Sequence, residues 1–179
     1  QMKSPYTGDT RDCGFSFKHI NDDYAFFIKG DHINIDACNF FGVGDEFTIY
    51  SYGQHLHVTR CEFEQMVGGG IIVRNSGDHD MLVPGGLVVD NNSFHDFGKY
   101  YLSYKPAVLL QEAVGAQITH NEIYNSARYG IDFKYGNIEC IMEYNYIHHC
   151  MQNSADGGAF YCGRVVTNRG NVIRYNLVS

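Results

Sequence analysis

The feature that most restricts what this chain can fold into is a short motif that recurs along its whole length. An apolar residue is followed by two polar ones, then Cys or Asn, then any residue, then an aromatic or aliphatic one. The Cys or Asn falls at Cys13, Cys38, Cys61, Asn92, Asn121, Asn145 and Asn176, at intervals of 23 to 31 residues. Two positions later stand Phe15, Phe40, Phe63, Phe94, Ile123, Ile147 and Val178. Three positions before the last six stand Ile35, Val58, Val89, Ile118, Met142 and Ile173. This period suits one coil of a parallel β-solenoid, in which a coil buries its inward face only by stacking on its neighbours. A leucine-rich repeat would show its Leu signature, which this chain lacks.

A second strand precedes the marker in most copies, as in Glu46 to Ile49, Gly70 to Val73, Ala107 to Leu110, Gly130 to Phe133 and Ala159 to Cys162. Gly and Asn at Gly53, Gly115, Gly136-Asn137 and Gly170-Asn171 supply tight corners between strands. Fourteen Tyr, 12 Phe and only three Pro favour strands over helices. The expected fold is therefore all-β, a single right-handed parallel β-helix of about seven coils over residues 1–179. Asparagines stacked ~4.8 Å apart at a buried corner can satisfy each other's amides, and the same column predicts stacked, inward Cys13, Cys38 and Cys61, near enough for a disulfide but read first as reduced thiols. The chain opens on Gln1 and closes just past Val178 within a coil, without capping segments. The expectation is a fragment of a longer chain, or a chain stacked on another.

Charge and hydropathy narrow the partners. Thirteen Lys and Arg against 20 Asp and Glu give a net charge of −7, which offers no basic surface for nucleic acid. Apolar runs such as Ala25 to Ile28 fall far short of the ~20 residues that span a bilayer, so no membrane partner is expected. The sequon Asn91-Asn92-Ser93 points to secretion, with an outward Asn91 beside an inward Asn92.

Polar residues concentrate late in the chain. Asp156 precedes two glycines and a strand, where a carboxylate projects beside open backbone. Asp132 and Lys134 alternate with the inward Ile131 and Phe133 and so face outward, and Glu112 lies one coil earlier. Carboxylates on adjacent coils reach both separations used in glycoside hydrolysis, ~5–5.5 Å for retention and ~6.5–9.5 Å for inversion. On this reading Asp156, Asp132 and Glu112 are candidate catalytic groups, and Arg164, Tyr161, Lys134 and His148 contact a polysaccharide or oligosaccharide. Capped turns and a solvated polar face account for the same acids without chemistry. A lyase would instead use Lys134 and Arg164 beside a uronate carboxylate. Asp22-Asp23 and Asp78-His79-Asp80 lack calcium-ligand spacing and the cysteines lack metal-ligand spacing, so neither metal nor cofactor is expected. Two long interruptions, at 74–86 and 97–106, are candidate walls of a groove.

The segment from His120 to Asn176 carries Ile141-Met-Glu-Tyr-Asn145, Asp156-Gly-Gly-Ala-Phe-Tyr161, Gly163-Arg164 and Thr167 to Asn176. It resembles right-handed parallel β-helix proteins related to glycoside hydrolase family 141. That resemblance implies fucosidase- or xylanase-like action on plant polysaccharides by acidic residues in a pocket on the helix. Asp156 and Arg164 match the family's pattern, whereas Val165-Val166 stands where it has Asp-Trp. A noncatalytic structural or carbohydrate-binding β-helix is the competing expectation.

Overall fold

The structure, a computed structural model, describes the backbone of residues 15–17 and all of residues 24–163 and 165–179. Cys13, Asp22, Asp23 and Arg164 lie outside the described residues.

Each coil contributes short strands to three sheets. Sheet B stacks Asn34–Asp36, His57–Thr59, Val88–Asp90, Gln117–Thr119, Ile141–Glu143 and Val172–Arg174, all parallel. Sheet C stacks Asn39–Phe41, Glu62–Glu64, Ser93–Phe97, Glu122–Ser126, Tyr146–His148 and Leu177–Val178, again parallel. Sheet A runs Tyr24–Ile28, Phe47–Ser51, Gly69–Arg74, Val108–Gln111, Ile131–Tyr135 and Phe160–Tyr161 in parallel register. Parallel neighbours drawn from successive coils on three faces make a β-helix. One element departs from the expected pattern. Phe15–Phe17 pairs antiparallel with Tyr24–Ile28 at the edge of sheet A, so Phe15 does not extend the Phe40 column of sheet C. The chain reverses there instead of completing a coil.

Except in the last coil, the strands of sheets B and C bury the residue that follows their first. Val58, Val89, Ile118 and Met142 from one column and Phe63, Phe94, Ile123 and Ile147 from the other are fully enclosed. Phe40, Phe63 and Phe94 stack at 4.7 and 4.4 Å between centroids. Between the two sheets the chain turns on two residues, of which the first is left-handed in every coil: Ala37, Arg60, Asn91, His120, Tyr144 and Tyr175 have φ between 51° and 58°.

The second corner residue forms the column read from the sequence. Asn92 Nδ2 donates to Asn121 Oδ1 (2.9 Å), Asn121 Nδ2 to Asn145 Oδ1 (3.0 Å), and Asn145 Nδ2 to Asn176 Oδ1 (3.0 Å). Each Oδ1 also accepts the backbone N–H of the preceding corner, as Asn121 does from Asn92 (3.0 Å). Cys61 takes the same place lower down, its Sγ accepting the Cys38 N–H at 3.5 Å while its own N–H donates to Asn92 Oδ1. All five described cysteines are free thiols. Burial raises the thiol pKa of Cys61 and pushes that of Cys140 up to about 11.

The other corners vary in length, and two long ones border sheet A. Residues 75–87 carry a small hairpin, Gly77–Asp78 against Val83–Pro84. Residues 98–107 fold back so that the Pro106 and Ala107 carbonyls accept the Gly70 and Ile71 N–H groups. A Cβ on Gly69 or Gly70 would lie 2.5 Å from one of those carbonyl oxygens, which is why no larger residue fits there.

Candidate functional site

The outward column of sheet A runs Tyr50, Ile72, Leu109, Asp132 and Tyr161 in register across successive coils. It is apolar except at Asp132. Phe47, Ile72 and Leu109 form a buried cluster on this outer face, with Tyr50 packed against it. Burial of these residues follows from the 98–107 loop, which brings Tyr104 and Lys105 to the wall of a cavity of about 200 Å3. Glu46, Arg74, Gln111, Lys134 and Tyr135 complete that wall, and Asp132 is among its lining groups.

Asp132 is 1% exposed. Its Oδ2 lies 3.5 Å from Lys134 Nζ, and its Oδ1 accepts the Lys134 backbone N–H at 3.1 Å. Burial raises the carboxyl pKa above the usual aspartate range, and Lys134 only partly offsets this. The Lys134 ammonium sits among Tyr104, Tyr135 and Tyr161, with ring centroids 4.7, 4.7 and 5.4 Å away. Burial alone would lower the Lys134 pKa, but Asp132 and Tyr135 turn the shift upward, so the ammonium stays charged. Two further cations face the cavity. Lys105 pairs with Glu46 (2.5 Å). Arg74 has no carboxylate partner among the described residues, its Nε is buried without a hydrogen bond, and its guanidinium lies 5.2 Å from the Tyr50 ring.

The remaining residues expected at the site are distributed differently. Tyr161 neighbours Asp132 in register and stacks on Tyr129 at 4.5 Å. Asp156 is exposed but committed to Arg128, which bonds both its carboxylate and its backbone carbonyl. Glu112 adopts a left-handed turn (φ 55°) and lines a second cavity with Asn75, Gly77, Asp78, His79 and Asp80. The 75–87 interruption walls that second cavity, not the Asp132 one. His148 belongs to sheet C, where it stacks on Tyr124 and Tyr146 and approaches Glu122 Oε1 at 3.3 Å. Arg164 lies outside the described residues. The three acids thus do not gather in one cavity; a left-handed backbone turns one away and a guanidinium holds another.

Sequence reasoning passed over Arg74, Tyr104, Lys105, Arg128 and Tyr129. Arg128 lies 4.5 Å from the Tyr104 ring and 4.7 Å from Tyr129. Tyr129 is fully buried, its hydroxyl lacks a hydrogen-bond partner, and burial raises its pKa. The available signal was Tyr100, Tyr101 and Tyr104 around Lys99 and Lys105, an aromatic and cationic run unusual for a solvated loop.

The family described as the right handed beta helix region matches residues 24–179, and the chain belongs to it. No curated protein and no solved structure matches the chain. Handedness therefore comes with the family, and the functional argument rests on this chain's own residues.

Proposed function

We propose that the cleft over sheet A binds an acidic saccharide chain, with Asp132 and Lys134 as its acid–base pair. Arg74 carries the proposal: it is a cation facing an aromatic-walled cavity without a carboxylate partner among the described residues. Tyrosine faces suit sugar rings, and Arg74 with Lys134 suits a uronate carboxylate. Asp132, more basic than an exposed aspartate, takes the proton next to that carboxylate while Arg74 neutralises the charge that develops there. The carbon–oxygen bond to the leaving sugar on the neighbouring carbon then breaks, its electrons go to the departing oxygen, and Lys134 gives that oxygen a proton. This is the elimination chemistry of a lyase. An extracellular setting accords with such a ligand, and Asn91 of the sequon is exposed.

Hydrolysis by paired carboxylates, as implied by the resemblance to glycoside hydrolase family 141, draws support from one observation. The raised pKa of Asp132 suits a general acid. Its partner would have to stand within ~9.5 Å, but Asp156 is engaged by Arg128 and Glu112 lines the other cavity.

Binding of a panel of neutral and uronate-containing oligosaccharides, measured by calorimetry, tests the proposal. The expectation is selective binding of acidic chains, lost in Arg74→Gln, with an unsaturated uronate product that disappears in Asp132→Asn. New reducing ends without unsaturation would transfer the site to hydrolysis. Equal binding of neutral and acidic chains, or none, would overturn the ligand class.

A further inference from the structure

On sheet C, Glu62 and Glu64 project from one strand on either side of the buried Phe63, and His95 pairs with Glu64 on the next coil. We propose that Glu62, Glu64 and His95 bind a first-row divalent cation such as Zn2+. One oxygen from each carboxylate and one imidazole nitrogen lie within 4.8 Å of one another. Donors around one zinc ion sit roughly 4 Å apart or less, a gap that rotation of two glutamate side chains closes. The mixed nitrogen and oxygen set suits zinc better than calcium, which prefers six to eight oxygens.

The imidazole sets this cluster apart from a patch of surface acids. His95 is 8% exposed, and its ring is fixed by stacking on Tyr124 at 4.8 Å and 7°. Its Nδ1 lies 3.0 Å from Asp96 Oδ2, the carboxylate–histidine arrangement that orients metal-bound imidazoles. With the Nδ1 proton donated to Asp96, the Nε2 lone pair points at carboxylate oxygens, the nearest being Glu62 Oε1 at 3.4 Å. No hydrogen-bond donor among the described residues reaches that nitrogen. A lone pair held against two carboxylates needs a cation between them, either a proton or a metal ion. Asn39 Nδ2 donates to Glu62 Oε2 (2.9 Å), which leaves Oε1 turned toward the imidazole. Bound there, the ion would tie two coils together on a sheet separate from the saccharide cleft. The linear sequence conceals the site because Glu62 and His95 are 33 residues apart.

Zn2+ titration calorimetry on the full chain after chelator treatment, with Co2+ as a visible-absorption probe, tests the site. The wild type should bind one equivalent at this site and melt at a higher temperature with Zn2+. Glu64→Gln and His95→Gln should weaken binding at least tenfold, and Asp96→Asn about 10- to 100-fold. His148→Gln, which removes the other His–Glu pair of sheet C, should change nothing, and circular dichroism would verify that each variant is folded. Undiminished binding in folded Glu64→Gln and His95→Gln, loss in His148→Gln, or no binding by the wild type would overturn the proposal.

Discussion

The corner between sheets B and C and the corners flanking sheet A solve the same problem in opposite ways. The first uses two residues in every described coil, a left-handed residue followed by one whose side chain, from Cys61 onward, caps the preceding coil's backbone. The others range from a few residues to the 75–87 and 98–107 excursions, and the shorter amide run between sheets A and B, from the Ala113 N–H to Asn137 Oδ1 and from the Asn137 N–H to Asn168 Oδ1, covers fewer coils. The first kind carries stability through equivalent contacts in series, with the Cys61 thiol standing where the amides stand from Asn92 onward. The second leaves the core columns unaffected, and there the molecule has acquired a buried acid, an arginine without a carboxylate partner among the described residues, and caged cations.

The strongest way to break this contrast is to cut the series in its middle. Asn121→Leu removes an amide that serves Asn92, Asn145 and the Val89 carbonyl, leaving several buried polar groups unmet. Chemical denaturation should show a loss of about 3–4 kcal/mol. A change near zero would mean that packing alone holds the corner.

The cleft should respond through pH. The folded carboxyl pKa of Asp132 is raised, so its contribution to stability is greatest below the usual aspartate pKa. That contribution is lost as pH rises through the interval up to the folded value. Melting curves across mildly acidic pH should show this fall in the wild type, and Asp132→Asn should abolish that component of the slope. An identical slope in both proteins would place the carboxyl in water.

The smallest expected effect is at the first corner. Ala37 is exposed at φ 52°, a conformation that disfavours alanine, and Ala37→Gly should stabilise the protein by about 0.5–1 kcal/mol in the same assay. A destabilised variant would show that the turn relaxes in solution.

The same contrast governs how much could be read in advance. The Asn column, the Phe column and the outward placement of Asp132 and Lys134 were legible because they repeat with the coil or alternate along a strand. The reversal at Phe15, the turn that sends Glu112 to another cavity and the capture of Asp156 by Arg128 across 28 residues were not. Those depend on the path of irregular segments, for which a residue's position in the repeat gives no coordinate. Tyr104 and Lys105 were hidden for the same reason, although they wall the cleft.

The uniform B–C corner also bears on how such a gene can change length. Because the corners at Asn92, Asn121, Asn145 and Asn176 present the same backbone and the same amide to their neighbours, recombination joining the codon for Asn92 to that for Asn121 would delete or duplicate 29 residues. The strands on either side would still find partners in register. The intervening loop would be lost or copied as one unit, so whole clefts could be shuffled along the helix axis without redesigning its interior.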